Sequence, residues 1–202
     1  STLLSNTGSS EGSAKKTTAD ATSDQEVKLA EFHNPQNRRD QVFSALSKEG
    51  GIKVTAVTAR NLLNDMMIQH SLSPVSADAL GRTIICAILM ANGIQDEQIV
   101  QITLQTVGPI RGIVGICDGV GHVRGYVGSP MLGDGMSLEE AVGVGGAIQV
   151  VKSHPSWPRP YNGITAIQFA DIDRDIGRYL AESEQRTCAL AAAASVKGVL
   201  CN

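Results

Sequence analysis

The sequence predicts an α+β domain of mostly antiparallel β-sheets with flanking and connecting helices. Three observations carry this. Short runs of alternating apolar and polar residues recur, and turn signals such as Asp118-Gly119 join neighbouring runs as hairpins. A few helical patterns are interspersed among them, the most apolar running from Ala77 to Ala91. The elements show no regular βαβ alternation, which argues against a parallel sheet.

The elements follow in order. Residues 1–39 are rich in Ser, Thr, Ala, Gly and charges, with no apolar period, so they predict a disordered extension. From Asp40 the chain reads as a single globular domain, 40–202. Ile52, Val54 and Ala56 alternate as a strand, and Leu62, Leu63, Met66, Met67 and His70 recur at helical spacing. Ser73 as N-cap and Pro74 at the first position open the next helix. Its body is apolar nearly all round, so it belongs in a core, and Gly93 stops it.

Val100 to Gln105, Ile113 to Cys117 and Val123 to Val127 read as strands, with a Gly108-Pro109 turn after the first. Ser137-Leu138-Glu139-Glu140 has capping-box spacing and opens a short helix. Ile148 to Val151 is a strand. A loop over 153–160 holds three prolines and the only tryptophan. Tyr161 to Phe169 reads as a strand. Asp171 then caps a helix with Ile172, Ile176, Tyr179 and Leu180 on one face. Thr187 to Ala194 reads as a further strand, and Val199 to Asn202 as the start of one without a finish.

The 202 residues carry a formal charge of −3, are 42% hydrophobic and only 3% aromatic, so the core must be aliphatic. Mild acidity argues against a nucleic-acid partner, which needs clustered Lys and Arg. No apolar run reaches the roughly 18–20 residues of a membrane helix. The cysteines Cys86, Cys117, Cys188 and Cys201 form no C-x-C or C-x-x-C pair, so they offer neither a zinc nor a thioredoxin-like signal. Each lies in an apolar pattern, and Cys86 and Cys117 read as buried hydrophobes. A reducing compartment is favoured.

Apparent catalytic motifs dissolve on inspection. Gly143-Val144-Gly145-Gly146 lacks the Lys-Ser/Thr of a phosphate loop, and its helix precedes it rather than follows. The glycines instead permit positive φ and close approach. His33, His70, His122 and His154 have no metal-ligand neighbour within four residues, and His122 should face solvent. A thiol enzyme using Cys188 or Cys117, with His154 as a spatial partner for Cys188, is the alternative. Arg124 sits among apolar strand residues, so a buried pair with Glu184 or an aspartate is expected. An exposed rim position is the other reading.

Six phrases in register carry a resemblance. They are the opening strand over Val42–Thr58, Gln105-Thr106-Val107-Gly108-Pro109, Val123-Arg124-Gly125-Tyr126, Val142–Gly145, Pro160-Tyr161-Asn162-Gly163-Ile164 and Ser183-Glu184-Gln185. Over Asp40–Asn202 the chain resembles the N-terminal domain of the heat-shock protein 33 family, also called the 33-kDa chaperonin.

The resemblance implies a redox-regulated, ATP-independent holdase that binds unfolding client proteins and is not an enzyme. It implies a homodimer made by segment exchange, and zinc held by four cysteines in a C-terminal domain beyond a helical linker. None of those cysteines is present here, so no cofactor or metal role carries over. The expectation is a chaperone body that ends before its switch. Arg124, Gly125, Tyr126, Tyr161, Gly163, Ser183, Glu184 and Gln185 carry over as family-signature positions. No nucleic-acid or membrane partner is implied. The expected location is cytoplasmic, or organellar if the extension is a targeting remnant.

Overall fold

The stretch Pro74–Ala91 carries only Asp78 and Arg82 as charges, so almost none of it suits water. In the computed structural model, which describes residues 39–196, this stretch is the central helix. The element order is β1 (Gln41–Leu46), β2 (Lys53–Thr58), α1 (Arg60–His70), α2 (Pro74–Ala91), β3 (Ile99–Gln105), β4 (Ile113–Asp118), β5 (Val123–Val127), α3 (Leu138–Val142), β6 (Ala147–Ser153), β7 (Tyr161–Ala166) and α4 (Ile172–Glu182). β1 and β2 form a two-stranded hairpin, and the other strands form a five-stranded sheet in the order β5-β4-β3-β6-β7. Every pairing is antiparallel, as the α+β reading expects.

One face of the larger sheet is apolar. Val100, Ile102 and Leu104 stand in register with Cys117, Gly115 and Ile113 on one side, and with Lys152, Val150 and Ile148 on the other. This face packs against α2, whose Leu80, Ile84 and Ala87 are fully buried. The helix approaches closely because Gly115 and Gly125 are cross-strand partners. A Cβ on Gly125 would stand 2.7 Å from Ile84 Cδ1 and 2.8 Å from the Val114 carbonyl oxygen. By length and composition α2 could cross a membrane, but 67% of it is buried inside the protein. The buried core is aliphatic, with Tyr179 as its one aromatic among the described residues.

Helix ends match the sequence in place more often than in bonding. Ser137 and Glu140 form the expected capping box, with backbone bonds of 3.1 and 2.9 Å. Ser73 precedes α2 with Pro74 in the first turn, but its hydroxyl donates to Ser76 Oγ instead of capping the helix. The start of α1 is satisfied from a distance. Asp40 accepts from the backbone N–H groups of Asn61 and Leu62, at 3.0 and 2.8 Å.

Four expectations are corrected. The opening strand is two strands joined at Ser47–Gly51, because Ser47 bonds back to Ile52 and Gly50 takes φ 73°. β7 stops at Ala166 rather than Phe169. There the buried Asp175 carboxylate accepts from the backbone of Gln168 and Phe169, and Ala170 turns to φ 54°. Asp171 occupies the N-cap of α4 but makes no side-chain cap bond. Residues 187–194 are not a strand: no sheet pairs with them, and side chains hold them instead. The extension expected over 1–39 lies outside the described residues except for Arg39, and so does the terminal stretch Val199–Asn202. The 153–160 loop places Trp157 at 39% exposure, its ring 5.9 Å from that of His154.

Candidate functional site

The signature residues fall into two groups at opposite edges of the five-stranded sheet. The first gathers where β6, β7 and the end of α4 meet. Lys152 continues the inward row of Ile148 and Val150, so a charge points toward the core side. Its Nζ lies 2.5 Å from Glu184 Oε1, and both side chains are largely buried. Arg186 Nε adds a contact of 3.2 Å to the other carboxylate oxygen. Tyr161, paired across from Lys152, brings its ring 5.9 Å from Nζ, and its hydroxyl donates to the Ser183 carbonyl at 3.4 Å. Gln185 takes φ 52°, and the N–H of Arg186 returns to the Leu180 carbonyl at 3.0 Å, closing the helix.

Gly163 completes this group by lacking a side chain. A Cβ there would stand 2.5 Å from the Tyr179 hydroxyl. Tyr179 is fully buried, and its oxygen meets no hydrogen-bond partner. Burial first, then the nearby Tyr161 hydroxyl and the Glu184 charge, hold its pKa well above the usual phenol range. The Tyr-x-Gly phrase and the Ser-Glu-Gln phrase are thus one structural unit. It anchors α4 to the sheet and contains no nucleophile or base aimed at open space.

The second group is the β5 edge. Gly125 faces α2, while Arg124 and Tyr126 face outward and are exposed. The expected Arg124–Glu184 pair does not exist. Arg124 makes no ion pair among the described residues, and Glu184, on the far side of the sheet, is taken by Lys152 and Arg186. The parity of β5 explains this, since Gly125 must face inward and its neighbours therefore cannot.

Large apolar side chains remain open at several places, Ile68 and Met131 among them, and two of these places lie on strands. On the hairpin, Val42, Leu46, Ile52 and Val54 are all more than half exposed. On the outer face of the large sheet, Tyr126 and Ile164 are 56% and 63% exposed, at the two ends of a cross-strand row through Val114, Thr103 and Gln149.

A third feature joins helices to the descending chain. Arg82 bonds to Asp78 at 2.8 Å and to Asp173 of α4 at 3.0 Å. Its Nη1 also donates to the Ala192 carbonyl at 3.0 Å, while the Ala192 N–H donates to Asp173 at 3.1 Å. Burial alone would raise the Asp173 pKa, but the Ala192 N–H, Asp171 and Arg82 outweigh it and hold the carboxyl low. Beyond this clamp, residues 193–196 form part of the wall of a groove of about 860 Å³ between the end of β2, α1, the start of α2 and the Met131–Leu132 loop. Lys152, Arg82 and Asp173 were missed by sequence reasoning. The available signal for Arg82 was an i,i+4 charge pair in an otherwise apolar helix.

The thiols sort clearly. Cys86 and Cys117 are buried as expected, and burial pushes their pKa up to about 12 and about 11. Neither is a ready nucleophile. Cys188 is exposed, in the unpaired segment rather than in the strand expected for it. Cys201 lies outside the described residues. Among those residues, no group of three His, Cys, Asp or Glu is placed to hold a metal ion.

A family profile described as "Hsp33 protein" matches residues 40–201. The 33 kDa chaperonin of Thermus thermophilus is 33% identical over 166 residues, covering 78% of this chain and 48% of that protein. That of Acetivibrio thermocellus is 35% identical over 153 residues, covering 72% and 51%. The crystal structure of the Thermotoga maritima 33 kDa chaperonin, a heat shock protein 33 homolog, superimposes with a TM-score of 0.66 at 23% identity. It covers 71% of this chain and 51% of that one, and it shows a shared fold. The chain spans about half the length of the curated relatives it matches.

Two outcomes are expected from this geometry. Gly163→Ala should destabilise by about 1–3 kcal/mol through overpacking. Tyr179→Phe should cost less than about 1 kcal/mol, because no bond is lost. In urea melts the double variant should be more stable than the sum of the two predicts, and strict additivity would refute the contact. Separately, Cys188 should be alkylated rapidly in the native protein, whereas the Cys117 peptide stays unmodified near neutral pH. Rapid native labelling of Cys117 at pH 7 would revive it as a nucleophile.

Proposed function

Because the chain belongs to the Hsp33 family, we propose that it is a molecular chaperone. It holds unfolding proteins by apolar contact, without ATP and without covalent chemistry. The observation that carries this is the hairpin, whose Val42, Leu46, Ile52 and Val54 stay in water. By cross-strand register Val42 and Leu46 stand on one face of the hairpin and Val54 on the other, so apolar side chains open to solvent on both faces, and exposed apolar surface marks interaction sites. Aliphatic side chains with few aromatics form few directional contacts, which suits many clients rather than one. Of the two candidate thiols of the enzyme reading, Cys117 is buried and Cys188 is exposed, and Cys188 has no hydrogen-bonded base among the described residues.

Redox control is part of the proposal only in the negative. The two buried thiols are shielded and unpaired. Holding by this chain should therefore be the same, within about twofold, in reductant and in peroxide, since oxidant reaches neither of the two buried thiols. The test is light scattering of a heat-unfolded enzyme without nucleotide. Equimolar chain should suppress it, and a Leu46→Ser, Val54→Ser variant should suppress several-fold less at an unchanged melting temperature. No suppression at tenfold excess would defeat the reading.

We also propose a homodimer by exchange of segments, in a cytoplasmic or organellar setting. The support is the run 187–196, which joins no sheet and can be traded at low cost. Sedimentation at micromolar concentration should show a species near twice 21.2 kDa. A monomer at every concentration would reject it.

A further inference from the structure

The loop after β6 holds a hydroxyl against a base. Pro155 is the second residue of the turn His154–Trp157, which the Trp157 N–H closes on the His154 carbonyl at 3.0 Å. Proline presets the backbone at that position, and the turn brings the side chains of residues 154 and 156 together. Ser156 Oγ lies 2.6 Å from His154 Nδ1, and the Ser156 backbone N–H donates to the same nitrogen at 3.1 Å. A backbone N–H can only donate. Nδ1 therefore carries no proton, the neutral ring keeps its proton on Nε2, and the hydroxyl donates to Nδ1. Nε2 in turn lies 4.0 Å from Glu97 Oε2. Sheet register explains this third group. Ile99 of β3 pairs with Ser153 of β6, so residues just before β3 stand beside those just after β6. The imidazole is largely buried with the Trp157 ring alongside it, while Ser156 is open to solvent.

We propose that Ser156 is a base-activated nucleophile and a site of acylation, with His154 as its general base and Glu97 as a positioning carboxylate. The reagent class is a small activated acyl compound, either an aryl ester or a thioester. Oγ attacks the carbonyl carbon and forms a C–O bond while its proton passes to Nδ1. The tetrahedral adduct then collapses, the bond to the leaving group breaks, and the phenolate or thiolate departs with the electron pair. Nδ1 gives the proton to that leaving group, and Ser156 keeps the acyl group as an ester. Once protonated, Nδ1 no longer accepts the Ser156 N–H, which is then free to donate to the oxyanion formed on its own residue. Glu97 beside Nε2 favours the positive ring that exists midway through the step. Residues 155–160 are all exposed, so the site takes small reagents with little choice between acyl chains. The activity is separate from client holding, because none of its groups belongs to the hairpin.

The test uses a biotin-tagged alkyl fluorophosphonate, to which an activated serine bonds through phosphorus with loss of fluoride. Peptide mass spectrometry of the native full chain should find Ser156 labelled at least about tenfold faster than any other serine. His154→Gln should slow that labelling at least about tenfold, at an unchanged melting temperature. Glu97→Gln should slow it roughly threefold, and the gap should narrow at high salt, as a charge effect requires and a packing effect does not. In a Cys188→Ala background, which removes the exposed thiol as a competing acceptor, p-nitrophenyl acetate should leave an acetyl group on Ser156. Should His154→Gln disturb the loop, the wild-type labelling map decides alone. Labelling spread evenly over the serines, or a Ser156 rate indifferent to His154→Gln, would overturn the proposal.

Discussion

The rest of the structure depends on burial of the helix Pro74–Ala91. Eleven of its residues are buried, and an aliphatic side chain withdrawn from water contributes about 1.5–3 kcal/mol. A helix so largely apolar must be surrounded, and seven other elements share its sides. The sheet covers it through β3, β4 and β5, α4 and α3 lie against it, and β2 and α1 close the remaining flank. The sheet can come close only because Gly115 and Gly125 stand opposite each other on adjacent strands. The Val-Arg-Gly-Tyr phrase is thus a packing requirement whose arginine and tyrosine are set outward by strand parity.

The fold was legible in the sequence wherever a period was. The apolar helix, the alternating strands β3 to β6, the Ser137 capping box and the Gly143–Gly145 turn, with φ of 72° and 103°, stand as read. What escaped was chemistry between distant residues. The Asp175 carboxylate ends β7 by accepting two backbone donors, and no local pattern announces that. Thr187–Ala194 reads as a strand by its small apolar residues alone, but strands need partners and propensity does not supply one. The Arg124–Glu184 pairing failed because charge complementarity in sequence says nothing about which sheet edge a residue occupies.

The two polar networks do different work. Lys152, Glu184 and Arg186 fix α4 to the sheet, and breaking one partner of a buried pair typically costs about 3–5 kcal/mol. The Asp78–Arg82–Asp173 network is only partly buried and ends on a main-chain amide, so it ties α2 and α4 to the segment after α4. The topology adds a delay. β3 cannot gain its second neighbour until β6 arrives, more than forty residues later, and such non-local pairing is slow to form.

The half-exposed Trp157 has a bearing on spectroscopy. It sits on the 153–160 loop against His154, outside the aliphatic core, and it is the only indole in the chain. Its emission in the native protein already samples solvent, so unfolding should shift the spectrum little. The one core chromophore is the phenol of Tyr179, which is far dimmer. A tryptophan-detected melt would chiefly follow the loop beside β6 and β7, while the helix that organises the molecule stays optically silent. Far-ultraviolet circular dichroism sees that helix directly, and a gap between the two curves would measure how independently the loop moves.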